Sequence, residues 1–164
     1  MNKVAIYAGT FDPITLGHLD LIERAARIFD RLILAVAVKS RKVPLFNVEE
    51  RVSMARKVVR KWPNVVVDSF DGLLVEYARK KGVHVLIRGI RAFSDFEFEF
   101  QMTLTNRTLA PDIETLFLMP KEDYSYVSSS TVREVAELGG DTRNFVPGPV
   151  LKALRAKIKE KSVR

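Results

Sequence analysis

The sequence predicts a single-domain, doubly wound α/β fold: a five-stranded parallel sheet with helices on both faces. Two observations carry this expectation. Five short runs rich in Val, Ile and Leu recur along the chain, each nearly continuous in apolar residues, as strands buried on both faces require. Helical periodicities fall between consecutive runs, and strict β-α alternation is the signature of crossover-linked parallel strands. The length, 164 residues, suits one domain with a substantial core.

The elements follow in order. VAIYAG (4–9) reads as the first strand. Over residues 17–29, Leu21, Ile22, Ala25, Ile28 and Phe29 share one helical face. RLILAVAV (31–38) is the second strand, and Asn47 with Glu50 makes a capping box for a helix ended by Pro63. VVVDSF (65–70) precedes the helix LLVEYARKKG (73–82), which stops at Gly82. VHVLIRGI (83–90) is the fourth strand, with His84 packed in or beside it. Ser94 and Glu97 are the expected cap of a long helix reaching Ala110. ETLFLMP (114–120) is the fifth strand, STVREVAELGG (130–140) a further helix, and Pro147 and Pro149 open a basic last helix from about residue 148.

Composition bounds the function. With no cysteine, disulfides and thiolate metal sites are excluded, and two histidines do not make a histidine-rich zinc site. No apolar stretch approaches the roughly 20 residues of a membrane span, and the N-terminus enters a strand pattern directly, so the expected location is the cytoplasm, without membrane partners. The net charge of +7 raises nucleic acid as a partner. Residues 152–164, however, carry six basic residues and one acidic one, leaving only +2 for the rest; a solvated basic helix is expected there, and no nucleic-acid partner.

In a doubly wound sheet, ligands bind outside the carboxyl ends of the strands. Polar residues do follow the strands here: Thr10, Asp12 and His18 after the first, Lys39, Arg41 and Lys42 after the second, and Asp71 after the third. Arg88 and Arg91 follow at the fourth, then Lys121 and the run Tyr124 to Ser130 at the fifth. A set rich in cations and hydroxyls and poor in carboxylates suits phosphates. Gly17 allows close backbone approach, and His18 sits in a helix's first turn, where the dipole favours anions. Each feature also has a plainer reading: a surface histidine, a serine helix cap, a solvated basic loop. Only their joint position after strands points to a site. There is no hydrolytic triad, no P-loop lysine motif, and no G-x-G-x-x-G after the first strand.

These residues carry a family resemblance. GTFDPITLGH resembles the opening of the nucleotidyltransferase superfamily with a T/H-x-G-H motif, here Thr15 to His18. VSSSTVRE is similar to that superfamily's I-S-S-S-x-x-R motif, with Val127 for isoleucine and Arg133 as the arginine. LIRGIRAFSDFEFEFQM and FLMPKEDYSYVSSSTVRE resemble, more narrowly, the phosphopantetheine adenylyltransferase family, and the likeness runs from residue 2 to residue 155. It implies a Rossmann-like fold and a reaction in coenzyme A biosynthesis. ATP and 4′-phosphopantetheine would give dephospho-coenzyme A and pyrophosphate with Mg²⁺, in a homohexamer, with coenzyme A a further candidate ligand.

Carried onto matching positions, the resemblance gives Thr10, Lys42 and Arg88 the 4′-phosphate. It places Thr10, Phe11, His18, Gly89, Ile90, Arg91, Glu99, Tyr124, Ser125, Tyr126, Val127, Ser128, Ser129 and Ser130 around ATP. Leu73, Leu74, Met102 and Asn106 would meet the pantetheine arm, and His18, Thr10, Lys42 and Arg91 would be catalytic. The Asp71-Gly72 order departs from the family pattern. Two other readings compete: a sister nucleotidyltransferase with a different acceptor, and a non-catalytic nucleotide- or RNA-binding module using the basic tail. The apolar Leu73, Leu74 and Met102 favour a flexible arm over a second nucleotide.

Overall fold

A computed structural model describes residues 3–39 and 43–162. The elements run β1 (Val4–Gly9), α1 (Leu16–Ile28), β2 (Arg31–Ala37), α2 (Val48–Val58), β3 (Val65–Phe70) and α3 (Leu74–Lys80). They continue with β4 (Val85–Gly89), α4 (Phe93–Leu109), β5 (Glu114–Leu118), α5 (Ser129–Glu137) and α6 (Gly148–Ser162). A single 3-10 turn, Glu122–Tyr124, follows β5. The strands form one sheet in the order β3-β2-β1-β4-β5, with every neighbouring pair parallel.

The core lies in two layers. On one face, Leu21, Ile22 and Ala25 of α1, Met54 and Ala55 of α2, Val132 of α5, and Val150 and Leu154 of α6 pack on the sheet. On the other, Val75, Tyr77 and Ala78 of α3 join Ala110 and Ile113, which flank the end of α4 and the start of β5. The chain therefore leaves β1 toward one face and β4 toward the other. Between these adjacent strands the strand order reverses, which opens the crevice that ligands use in such sheets.

Most boundaries fall where the sequence puts them, and the exceptions have local causes. The Asn47–Glu50 capping box forms, with both hydrogen bonds at 2.8 Å. The helix it starts ends at Val58 rather than at Pro63, because Trp62 N–H turns back to the Val59 carbonyl. Ser94 is not the cap of α4, which begins at Phe93 after Ala92. The Asp95 carboxylate takes the Arg91 N–H at 3.3 Å instead. His84 precedes β4 and is exposed, with Nδ1 at 3.2 Å from the Asp112 carbonyl, so it does not pack into the strand. Among the described residues no helix is long and apolar enough to cross a membrane.

Candidate active site

Between the carboxyl ends of β1 and β4 lies a cavity of ≈ 410 Å³. Its walls come from the tip of β1, the first turn of α1, Arg88 and Gly89 of β4, Arg91, Glu99 of α4, and the start of α5.

The β1–α1 corner is built by main-chain satisfaction. Thr15 caps α1: its Oγ1 accepts the His18 N–H at 3.3 Å. In return the His18 ring takes the Thr15 backbone N–H on Nδ1 at 2.9 Å. A backbone N–H only donates, so Nδ1 must be unprotonated, and the neutral ring carries its proton on Nε2. Burial, together with the charges of Arg91 and Arg88, depresses the His18 pKa to about 3. His18 is thus a neutral donor at neutral pH, and among the described residues Nε2–H has no partner.

Phe11 holds the ring from the side, edge-on with centroids 5.0 Å apart, and stands edge-on to Tyr7 at 5.5 Å. It does so with φ at 49°, in the left-handed region, a local strain that its burial in the core offsets. The Leu16 amide bonds the Phe145 carbonyl and the His18 amide is capped. The Gly17 amide has no partner among the described residues and is left for a ligand. A Cβ at Gly17 would sit 3.6 Å from Thr15 Oγ1 and from Tyr124, ordinary contact distances, so the protein itself does not force glycine there.

The opposite corner is built from charge pairs. Arg88 forms a bidentate pair with Glu99, at 2.7 and 2.6 Å, and donates to the Ala8 carbonyl at 2.8 Å. Burial works against its charge, but the hydrogen bonds and charge of Glu99 outweigh this and its pKa is raised. Arg91 is held by Asp95 at 2.9 Å and by the Val127 carbonyl at 3.1 Å. Arg133 of α5 binds Asp12 at 2.5 Å. Each cavity arginine therefore has a carboxylate partner that fixes its aim and balances its charge. A guanidinium has five N–H donors, so Arg88 keeps two for a ligand after its three protein contacts.

The serine run divides its work. Ser128 caps α5 by accepting the Thr131 N–H at 3.0 Å, and Ser129 Oγ donates to the Pro13 carbonyl at 2.8 Å. Two of the three hydroxyls are structural, so the cap reading of Ser128 holds. The Ser129 and Ser130 amides are left as the free donors of that helix start.

The cavity brings together Thr10, Phe11, His18, Arg88, Gly89, Arg91, Glu99, Val127, Ser128, Ser129 and Ser130. Tyr124, Ser125 and Tyr126 stand outside it. Tyr124 walls Gly17 from behind, Ser125 Oγ closes a turn on the Glu122 carbonyl, and Tyr126 is exposed against Phe145. The Ile90 amide is spent on Leu118. Leu73, Leu74, Met102 and Asn106 do not line the cavity; Leu73 and Met102 are exposed. Lys39 pairs with Asp71 at the surface, and Arg41 and Lys42 lie outside the described residues.

Sequence reasoning missed Tyr7, which lines the cavity from within an apolar run, and Arg51, which braces the site from beneath. It noted Asp12 without its double task. The buried Asp12 carboxylate accepts the Leu45 and Phe46 amides at 2.8 and 2.9 Å as well as Arg133. Among the described residues no cluster of three or more His, Asp or Glu side chains offers a metal cage.

Comparison with known proteins fits this geometry. The cytidylyltransferase-like family matches residues 6–135. The phosphopantetheine adenylyltransferase of Methylococcus capsulatus is 59% identical over 157 residues, covering 96% of this chain and 97% of that one. That of Desulforudis audaxviator is 57% identical, covering 94% and 95%. A crystal structure assigned as a nicotinate-nucleotide adenylyltransferase from Vibrio parahaemolyticus superposes with a TM-score of 0.69 over 94% of this chain and 91% of that one. At 18% identity it is a relative in fold, and it bears out the Rossmann-like expectation. The chain, with its T-x-G-H corner and its S-S-S helix start on one cavity, belongs to the phosphopantetheine adenylyltransferase family of cytidylyltransferase-like nucleotidyltransferases.

Proposed function

We propose that this chain transfers the adenylyl group of ATP to 4′-phosphopantetheine, releasing pyrophosphate and forming dephospho-coenzyme A. The observation that carries the reading is His18: a neutral ring, fixed by the Thr15 amide as an Nε2–H donor, in a cavity also lined by Arg88 and Arg91. In this reaction an acceptor phosphate oxygen attacks the α-phosphorus, and the bond from that phosphorus to the bridging oxygen breaks. The nucleophile is already an anion, so no general base is needed. What is needed is alignment and stabilisation of charge on the α-phosphate.

His18 donates to that phosphate. Thr10 orients the acceptor phosphate, with Lys42 and the two remaining donors of Arg88. Arg91, Phe11, Gly89, Ile90, Glu99 and the segment from Tyr124 to Ser130 surround ATP. Leu73, Leu74, Met102 and Asn106 serve the pantetheine arm; the exposure of Leu73 and Met102 supports an arm lying along the surface beyond the cavity. Mg²⁺ belongs to this reading as the ion carried by the triphosphate. Asp12 and Glu99 are committed to arginines, so phosphate oxygens and water are its natural ligands.

A homohexamer, with coenzyme A as a further ligand, is part of the same proposal. Its support is the exposed apolar set Phe96, Phe100, Leu104 and Leu109 on α4 with Leu116 and Met119 at the edge strand β5. A cytoplasmic enzyme without nucleic-acid partners completes it. Purified protein given ATP and Mg²⁺ should consume phosphopantetheine and leave dephosphorylated pantetheine untouched. Equal turnover of the two sinks the assignment.

A further inference from the structure

Arg51 is the most unusual charged residue in the molecule. It sits at the end of the first turn of α2 and is 1% exposed. Among the described residues it makes no ion pair. Its guanidinium reaches the carbonyls of Thr10 at 2.8 Å, Ala37 at 2.7 Å, Val38 at 3.3 Å and Phe46 at 3.1 Å. These four carbonyls belong to the chain just beyond β1, the end of β2, and the turn before α2. Arg88, Arg91 and Arg133, by contrast, each face a carboxylate.

Such a fork does what no single hydrogen bond can. Strand ends leave carbonyls without partners, and in a buried setting each unpaired one is costly. A planar guanidinium with fixed donor directions ties several of them into one rigid unit. Here the unit includes Thr10, which lines the cavity, and Phe46, whose amide is held by Asp12. Arg51 from below and Asp12 from the side thus fix the chain on both sides of the acceptor half of the site. Arg51 itself makes no bond to the serine-bearing start of α5 among the described residues; that end is tied through Arg133 on Asp12 and through Ser129 on the Pro13 carbonyl.

We infer that Arg51 is a positioning residue for the acceptor phosphate: by clamping the carbonyls of Thr10, Ala37, Val38 and Phe46 it fixes Thr10 against the cavity. The inference rests on the reading of the site given above. It implies an asymmetry between the two substrates, because the clamp touches the Thr10 side and leaves the α5 side alone. A residue serving stability alone would weaken both substrates together or neither.

Arg51→Lys keeps the charge but loses the fork, since one ammonium cannot span four carbonyls on three segments. With the parent turning over phosphopantetheine normally, Arg51→Lys should lower kcat/KM for that acceptor at least tenfold. The dissociation constant of a non-hydrolysable ATP analogue should stay within threefold. Met54→Ala, a core truncation one turn along α2, supplies a matched stability loss and should leave the ratio of the two effects unchanged. If Arg51→Lys does not fold, Arg51→Ala is assayed with and without millimolar guanidinium ion, which should restore acceptor turnover at least threefold. Equal loss on both substrates, an unaltered acceptor constant, the same asymmetry in Met54→Ala, or failure of both Arg51 variants to fold would overturn the proposal. A parent protein inactive with phosphopantetheine would instead overturn the functional reading.

Discussion

At the β1–α1 corner, the site is held by groups that no ligand can displace: the Thr15 amide on His18, the Asp12 carboxylate on the Leu45 and Phe46 amides, and the Arg51 fork on four carbonyls. At the β4–α4 corner, it is held by Arg88–Glu99 and Arg91–Asp95, pairs in which a phosphate can compete with the carboxylate for the same guanidinium. The first corner is fixed by bonds internal to the protein. The second has a counter-charge that can be exchanged. The comparison teaches a division of labour: fixed donors where charge develops in the transition state, exchangeable cations where charged substrates arrive and charged products leave.

The largest test strikes the fixed corner. His18→Ala removes a donor already aimed before substrate binds, and loss of one such donor costs on the order of 10²–10³ in rate, about 3–4 kcal/mol. Turnover should fall by that much while the Michaelis constant for ATP changes little, since a contact made mainly in the transition state acts on kcat. Steady-state kinetics on folded variant protein decides it, and turnover within about fivefold of the parent contradicts the donor role. The tautomer is testable separately. With a pKa near 3, His18 is neutral across the working range. Ring-nitrogen NMR should show a protonated Nε2 and a bare Nδ1 from about pH 8 down to about pH 5, and a midpoint inside that range would break the argument.

The two corners also differ in how far the sequence reveals them. The strand-turn-helix of β1 and α1 is local, so the helix start that carries Thr15, Gly17 and His18 is legible in the sequence, and their role as a site emerges from the polar residues after the other strands. The cap at Ser128 is local too. The arginine partners are not: Arg133 finds Asp12 across 121 positions, and no periodicity links them. Glu99 carries two readings, ATP contact by resemblance and counter-ion by geometry, and only the fold exposes the second. Arg51 did leave a trace. It stands on the stripe of Val48, Val52 and Ala55, where an apolar residue belongs, and a charge at a core position of an amphipathic helix asks for buried partners. What it binds depends on β1 and β2 ending side by side, which is a property of the sheet order.

The exchangeable corner predicts a smaller and opposite effect. Glu99→Gln removes the counter-charge of Arg88 while keeping a hydrogen-bonding side chain of the same shape. Binding of inorganic pyrophosphate or phosphate, followed by calorimetry, should tighten by about three- to tenfold, because the variant leaves the Arg88 charge without its buried carboxylate partner. Weaker anion binding in the variant would make Glu99 a ligand contact in its own right, and the two corners would then work alike.

The smallest effect is expected farthest from both corners, in the basic end of α6. Lys157 bonds Glu50 at 2.7 Å, beside the capping box of α2, and Lys161 bonds Glu137 at 2.7 Å on α5. Ile158 packs at the margin of the larger core cluster. The tail is therefore a brace on two helices rather than a free cationic arm, with Lys157 and Lys161 each matched to a carboxylate. Neither ion pair is fully buried, and solvent screening keeps both weak. Truncation after Arg155 should cost about 1–2 kcal/mol of stability, read as a lower Tm, with turnover at 25 °C within about threefold of the parent. Neither lysine lines the cavity. A tenfold fall in turnover with the fold and assembly intact would mean that the brace on α2 is felt at Arg51, and through it at Thr10.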